Sequence, residues 1–165
     1  MHFNASLRFC FITDDQTTGI APTEQVRAAI KGGATFIQYR RKNFTGSWYE
    51  EAAAICNLCR LNQVPFVIND HVLLAKAVQA DGVHLGQDDE KPDTARRILG
   101  PRAIIGISVS NLEELARTDL TPCDYVGSGP VFATGTKADV KPVRGLAGLK
   151  EMTARIPLPV VAIGG

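Results

Sequence analysis

The sequence has no long apolar run and no basic segment that leads into one. A helix that spans a bilayer needs ~20 consecutive apolar residues, and no stretch of the 165 residues approaches that length. The first residues, MHFNASLRFCFITDD, also lack the regions of a signal peptide. These absences predict a cytoplasmic protein without a membrane partner.

An excess of charge of one sign is also missing. Lys and Arg number 18 and Asp and Glu number 17, which gives a formal net charge of +1. Such a balance provides no overall attraction to nucleic acid, so a phosphate group would have to be bound by locally placed Arg and Lys. The chain is 45% hydrophobic and 21% charged, which is typical of one globular domain with a sizeable core.

Cysteine is scarce, and its spacing does not indicate a metal site. Cys56 and Cys59 form a CxxC inside a helical pattern, but no second close pair is present to complete a zinc site. Together with Cys10 and Cys123 they are expected to be buried or half-buried thiols.

What the chain does contain is a regular alternation of short apolar runs and helical patterns. Continuous apolar runs predict seven strands, at 8–13, 35–40, 65–69, 83–86, 103–107, 124–127 and 159–163. Helices are predicted between them, at 22–31, 46–61, 72–78, 92–99, 111–117 and 145–153. The pattern indicates a parallel sheet covered by helices, either a barrel of eight βα units or an open doubly wound sheet. Polar residues follow nearly every strand, which favours the barrel, because barrel sites lie at that face.

Acids follow two neighbouring predicted strands in the stretch 64–89. A right-handed crossover would make these strands parallel neighbours, so Asp70 and Asp89 could face one small volume. Converging carboxylates suit a hard cation such as Mg²⁺. Alternatively, Asp70 caps the next helix and Asp89 lies in a solvated turn. His84, inside the second strand of this unit, is either a satisfied core residue or a ligand contact.

Gln38, Arg40 and Lys42 alternate at the end of the second predicted strand and therefore point the same way. An amide and two cations that point into the same end of a barrel suit a dianion or a pyrophosphate. The alternative interpretation is a solvated strand end capped by basic residues, which would show the same spacing. Arg41, between them, should point toward the helices or the solvent.

The aperiodic segment 128–144 is a second candidate site. Its loop GSGPVFATGTK has small residues that let backbone N–H groups approach a phosphate, and Thr134, Thr136 and Lys137 add donors. The order GxxxxGK[ST] of a P-loop is absent. A glycine-rich turn without a ligand is the alternative.

These motifs together resemble the thiamine phosphate synthase family, an α/β family with a (β/α)8 TIM barrel fold. The resemblance covers nearly the whole chain, through FITDD, Gln-x-Arg-x-Lys at 38–42, IND at 68–70, DGVHLGQDD at 81–89, GISVS, GSGPVFATGTK and VVAIGG. It implies a transferase of thiamine biosynthesis that joins hydroxymethylpyrimidine diphosphate to thiazole phosphate and releases pyrophosphate. Mg²⁺ would assist departure of the pyrophosphate from a pyrimidine methylene cation, a step that needs no enzyme base.

The resemblance also implies a role for each site residue. Asp70 and Asp89 would be the Mg²⁺ ligands, and Gln38 and His84 would line the pyrimidine pocket. The pyrophosphate would be contacted by Arg40, Lys42, Asn69, Ser108 and Lys137, of which all but Asn69 would be catalytic.

For the thiazole phosphate, the resemblance implies Thr134 and Thr136, together with the backbone of Gly164 or Gly165. The expected partners are therefore small-molecule phosphorylated substrates, with no nucleic acid and no membrane, and with a homo-oligomer left open.

Two features depart from the family's pattern. Arg41 stands where many relatives have Glu, at a position that should face away from the site. The predicted strands also stop at the seventh, whereas a full barrel usually needs ~200 residues or more. We therefore expect a single domain over residues 1–165, a TIM barrel truncated after strand 7 with strand 8 and helix 8 absent.

Two other functions fit part of the pattern. A thiazole tautomerase of the same superfamily typically has a His shortly after the GxS of strand five, where this chain has Ser108-Val109-Ser110-Asn111, and it need not keep the metal acids. A non-catalytic domain that binds a phosphate ligand is the other alternative.

Overall fold

The computed structural model describes residues 3–16, 18–42, 48–133 and 142–164. Its strands are β1 (Cys10–Ile12), β2 (Phe36–Tyr39), β3 (Phe66–Asn69), β4 (Gly82–Leu85), β5 (Ile104–Ser108), β6 (Tyr125–Ser128) and β7 (Val160–Ala162). Its helices are α1 (Phe3–Ser6), α2 (Pro22–Lys31), α3 (Trp48–Leu61), α4 (Val72–Val78), α5 (Pro92–Leu99), α6 (Leu112–Arg117) and α7 (Gly145–Thr153). Among these helices, none has the length and apolar character that a membrane crossing requires.

The order of the strands distinguishes a barrel from an open sheet. Each strand from β1 to β7 pairs with the next one in the sequence, and every pair is parallel. A doubly wound sheet would reverse its strand order at a switch point. The molecule is therefore a nearly closed α/β barrel of the TIM type, which confirms the predicted fold class.

Local sequence signals account for most of the element boundaries. The predicted and observed bounds of α2, α4, α5 and α7 agree, and the strand ends differ by one or two residues. Asn111 caps α6 as its pattern predicts, because its side chain accepts the N–H of Glu114 at 2.8 Å. The alternative reading of Asp70 as a helix cap is wrong, since the residue before α4 is His71, which makes no side-chain capping bond. The one-turn helix α1 was not predicted.

Strand side chains point alternately into and out of the barrel, and this alternation creates two apolar cores. A large outer core, between the strands and the helices, includes Ile37, Ile68 and Ile105. A small inner core contains Phe36, Val67 and Tyr125. Because side chains two residues apart share a face of the sheet, Gln38 and Asn69 also point into the barrel, nearer its carboxyl end.

The acids that precede strands have a structural role. Asp81 Oδ2 accepts the N–H of Phe66 at 2.8 Å, and Asp124 Oδ2 accepts the N–H of Ile105 at 2.8 Å. Asp124 also pairs with Arg96 at 2.7 Å. These contacts lie at the amino ends of the strands, the face that stabilises a barrel, so the acids after the strands are the ones left for chemistry.

All four cysteines are free thiols, as predicted. Cys56, Cys59 and Cys123 are buried and Cys10 is half-buried. Burial raises the pKa of Cys10 to about 11 and the pKa values of Cys59 and Cys123 to about 12.

We therefore expect slow alkylation of the native protein by iodoacetamide at pH 8 and fast alkylation after unfolding in guanidinium chloride. Only the thiolate reacts, and each unit by which the pKa is raised lowers the thiolate fraction about tenfold. Mass spectrometry of samples quenched over time measures both rates. Native labelling of Cys59 or Cys123 at the unfolded rate would contradict this expectation.

Candidate active site

The described site residues gather at the carboxyl end of the barrel. Gln38 belongs to β2, Asn69 ends β3, His84 belongs to β4 and Ser108 ends β5. Arg40 directly follows β2, and Gly164 lies just beyond β7. Of the other sequence-predicted residues, Thr134, Thr136, Lys137 and Gly165 lie outside the described residues. The described part of the site is therefore mainly the half formed by β2 to β6.

A buried hydrogen-bonded cluster crosses the barrel interior between β4, β5 and β6. His84 is 7% exposed, with Nδ1 2.9 Å from the hydroxyl of Tyr125 and Nε2 2.9 Å from the hydroxyl of Ser108. The two interpretations of His84 from the sequence are therefore compatible. It is a buried residue with satisfied hydrogen bonds, and its partner Ser108 lies at the carboxyl end of the barrel.

Tyr125 is the member of this cluster that sequence reasoning missed. It is 2% exposed, and its ring packs against Phe36 with the centroids 5.6 Å apart. Its position in a very short apolar strand gives no signal of a polar role, because only the assembled barrel brings its hydroxyl to His84. Burial raises the pKa of Tyr125, so the phenol keeps its proton at neutral pH.

Of the basic residues after β2, Arg41 points away from the barrel interior, as the alternation predicts. Arg41 turns outward to α3, where its guanidinium is 2.8 Å from the carboxylate of Glu51. The phenol of Tyr39 donates to the same carboxylate oxygen at 2.6 Å. Within the described residues, the side chains of Arg40 and Lys42 have no such partner, and both are therefore available to an anion.

The loop after β1 holds the backbone that carries these two cations. The Thr13 hydroxyl accepts the N–H of Arg40 at 2.9 Å and donates to the carbonyl of Arg40 at 3.0 Å. The Asp15 carboxylate accepts the N–H of Lys42 at 3.2 Å. The backbone at 40–42 is thus fixed by side chains of FITDD, a role that the motif itself does not reveal.

Both candidate metal ligands are tied to the carboxyl end of β4. The N–H of Asp70 donates to the carbonyl of His84 at 2.8 Å, and Asp89 Oδ2 accepts the N–H of Gly86 at 2.6 Å. Their anchor points are therefore His84 in β4 and Gly86 just after it, two residues apart along the chain. Asp70 has φ of 65°, an unfavourable backbone conformation for a residue with a side chain, which the surrounding structure must maintain.

The donors at this position suit a hard cation. Within the described part of the chain, no three His, Cys, Asp or Glu side chains form a complete metal cluster. Two carboxylates can nevertheless be sufficient, because Mg²⁺ usually takes one or two protein acids and completes its coordination shell with water and substrate phosphate. With Asp89 Oδ2 held by Gly86, the Oδ1 atom is available for such an ion.

Gln87 hydrogen-bonds the last residue of β5, Ser108. Its amide nitrogen donates to the carbonyl of Ser108 at 2.8 Å and to the hydroxyl of Thr118 at 3.1 Å. This residue of the DGVHLGQDD motif thus fixes the strand end from the neighbouring loop. Gly164, the described part of the expected thiazole phosphate turn, has φ of 93° and accepts the N–H of Phe132 at 2.9 Å.

Comparison with known proteins gives consistent matches. A family model described as thiamine monophosphate synthase matches residues 9–165. The thiamine-phosphate synthase of Azorhizobium caulinodans is 50% identical over 143 residues, which cover 86% of this chain and 68% of that protein. The corresponding enzyme of Clostridium novyi is 48% identical over 148 residues, with coverages of 89% and 72%.

A solved structure shows the same fold. The thiamine phosphate pyrophosphorylase of Pyrococcus furiosus superposes with a TM-score of 0.85 at 40% sequence identity, covering 98% of this chain and 77% of that one.

Proposed function

Because this chain belongs to the thiamine monophosphate synthase family, we propose that it is a thiamine-phosphate synthase, a transferase that joins hydroxymethylpyrimidine diphosphate to thiazole phosphate. The similarity covers nearly the whole chain, and the site geometry provides the groups that the reaction needs. The observation that carries the proposal is the pair of cations Arg40 and Lys42, which have no side-chain partner among the described residues, on the same edge of the barrel as the buried Gln38 and His84.

The reaction requires the pyrophosphate to leave with the electron pair of its bond to the pyrimidine methylene carbon. Negative charge on the leaving oxygen increases as this bond breaks, and the thiazole then bonds to the cationic carbon. Cations and hydroxyl donors placed at that oxygen bind the transition state more tightly than the ground state. In the proposed site, Arg40, Lys42, Asn69 and Ser108 face the pyrophosphate, with Lys137 added from the loop.

The two acids after β3 and β4 are the proposed magnesium ligands. Asp70 and Asp89 would hold the ion, which when bound supplies positive charge next to the leaving group. Gln38 and His84 would face the pyrimidine ring, and the loop that carries Thr134 and Thr136 would bind the thiazole phosphate with the turn at Gly164 and Gly165.

The local sequence after β5 disfavours the tautomerase alternative. That reading expects a His just after Ser108, and the three residues there are Val109, Ser110 and Asn111. Asn111 is used as the cap of α6, and the backbone N–H of Ser110 donates to the Glu114 carboxylate at 2.7 Å. Ser110 and Asn111 therefore contribute to the local structure at the start of α6, and neither takes the place of the catalytic His.

We expect the purified protein to release pyrophosphate only when both phosphorylated substrates and Mg²⁺ are present. A coupled pyrophosphate assay, with omission of each component in turn, measures this. The control is incubation with the thiazole phosphate alone, followed by NMR. Isomerisation of the thiazole at a rate comparable to synthase turnover would favour the tautomerase, and binding without turnover would favour the non-catalytic domain.

A further inference from the structure

Three residues lie in a row across β4, β5 and β6. In the register of the sheet, His84 is opposite Gly106, and Gly106 is opposite Tyr125. A side chain at position 106 would collide with both rings, since a Cβ there would be 2.3 Å from Tyr125 Cζ and 2.5 Å from His84 Nδ1. The missing Cβ of Gly106 is what lets the phenol reach the imidazole.

The burial of Tyr125 sets the direction of the first hydrogen bond. A buried phenol proton without an acceptor is energetically costly, and Nδ1 of His84 lies 2.9 Å away. Among the described residues, Nδ1 of His84 is the only atom that shares a hydrogen bond with this hydroxyl, so the O–H of Tyr125 donates to Nδ1.

The second hydrogen bond follows from the first. A neutral imidazole that accepts at Nδ1 carries its proton on Nε2. That N–H donates to the hydroxyl oxygen of Ser108, 2.9 Å away. The proton of Ser108 is then not used by His84, and in the described part of the chain no other side chain contacts this hydroxyl. Ser108 is half-buried at the mouth, so its O–H can point to a ligand.

We propose that Tyr125 is a positioning residue that acts through His84 to present the hydroxyl of Ser108 as a hydrogen-bond donor to the departing pyrophosphate. This inference rests on the proposed function, because an oriented O–H donor stabilises the negative charge that develops on a leaving pyrophosphate. With the opposite tautomer, Nε2 would accept the proton of Ser108 and the oxygen lone pairs would face the anion.

The tautomer of His84 can be measured directly in the free protein. The ¹⁵N signals of the two imidazole nitrogens differ strongly between protonated and unprotonated atoms. We expect the wild-type spectrum to show a neutral ring with the proton on Nε2, and the Tyr125→Phe spectrum to lose that fixed state. A wild-type proton on Nδ1, or a doubly protonated ring at neutral pH, would overturn the proposal.

Kinetics test whether the effect passes through Ser108. Loss of one oriented hydrogen bond in the transition state predicts a fall in kcat of about tenfold for Tyr125→Phe, with little change in KM for the thiazole phosphate. In the Ser108→Ala background, the same substitution should change kcat less than about twofold, because coupled residues are non-additive. An equal loss in both backgrounds would show a merely structural role and would overturn the proposal.

Tyr39→Phe is a matched control, because it removes another buried phenol that faces α3 instead of the barrel interior. It should keep near-normal turnover, and thermal melts would report any loss of folding for each variant.

Turnover and the ¹⁵N spectrum together distinguish a failure of the proposed function from a failure of the role of Tyr125. A wild type without synthase turnover would refute the proposed function, whereas an active wild type with its His84 proton on Nδ1 would refute only the role of Tyr125.

Discussion

Replacement of Asp89 by Asn should lower synthase turnover by about 100-fold or more, the cost of losing one preorganised group that stabilises charge in a transition state. The carboxylate of Asp89 is held at the end of β4 by the N–H of Gly86, at 2.6 Å. The amide oxygen of Asn can accept the same hydrogen bond, so the substitution removes the negative charge and leaves the local fold intact. The loss should therefore appear in turnover and in the magnesium requirement, with little change in the melting temperature.

The neighbouring acid provides the control for this experiment. Asp88 is also exposed, and Asp88→Asn removes the same charge one residue away, with no hydrogen bond to the end of β4. Steady-state turnover of both variants is measured across a Mg²⁺ titration. Asp89→Asn should need more Mg²⁺ and reach a lower maximum, while Asp88→Asn should follow the wild type. Near-normal turnover and magnesium dependence in Asp89→Asn would refute the assignment of this acid.

The features that could be predicted from the sequence are those that repeat with a fixed period. Alternation along the second strand placed Gln38 inside the barrel and Arg41 outside, because side chains two residues apart share a face. The repeat of strand and helix similarly indicated which polar residues would reach the carboxyl end. Both inferences need only local geometry, which the barrel preserves.

The features that could not be predicted depend on contacts between strands or on backbone conformation. Tyr125 reads as one more apolar strand residue, and its role follows from a register that brings it opposite Gly106 and next to His84. The alternative interpretation of Asp70 was a helix cap, yet its backbone has φ of 65° and α4 starts after His71. The N–H of Asp70 donates to the carbonyl of His84 in β4, a contact between strands that the local sequence does not reveal.

Substitutions of the two adjacent arginines after β2 should have opposite effects: one should lower turnover and the other should lower stability. Arg40→Ala should lower turnover about 100-fold, because a cation near the leaving pyrophosphate is lost, and should leave the melting temperature almost unchanged, since its side chain has no described partner. Arg41→Ala should keep turnover within about threefold of the wild type. It should instead lower the free energy of unfolding by about 1–3 kcal/mol, because it breaks a largely buried charge pair with Glu51, in which the side chains are 18% and 20% exposed.

Glu51→Gln tests the same pair from the side of α3. Gln can still accept from Tyr39 and Arg41, so this variant loses the charge but keeps the hydrogen bonds, and its stability should fall between those of the wild type and Arg41→Ala. Denaturant unfolding and steady-state kinetics on the same preparations provide both readouts. If Arg41→Ala were as damaging to turnover as Arg40→Ala, the alternation after β2 would not define the site, and the pyrophosphate would have to be bound elsewhere on the barrel edge.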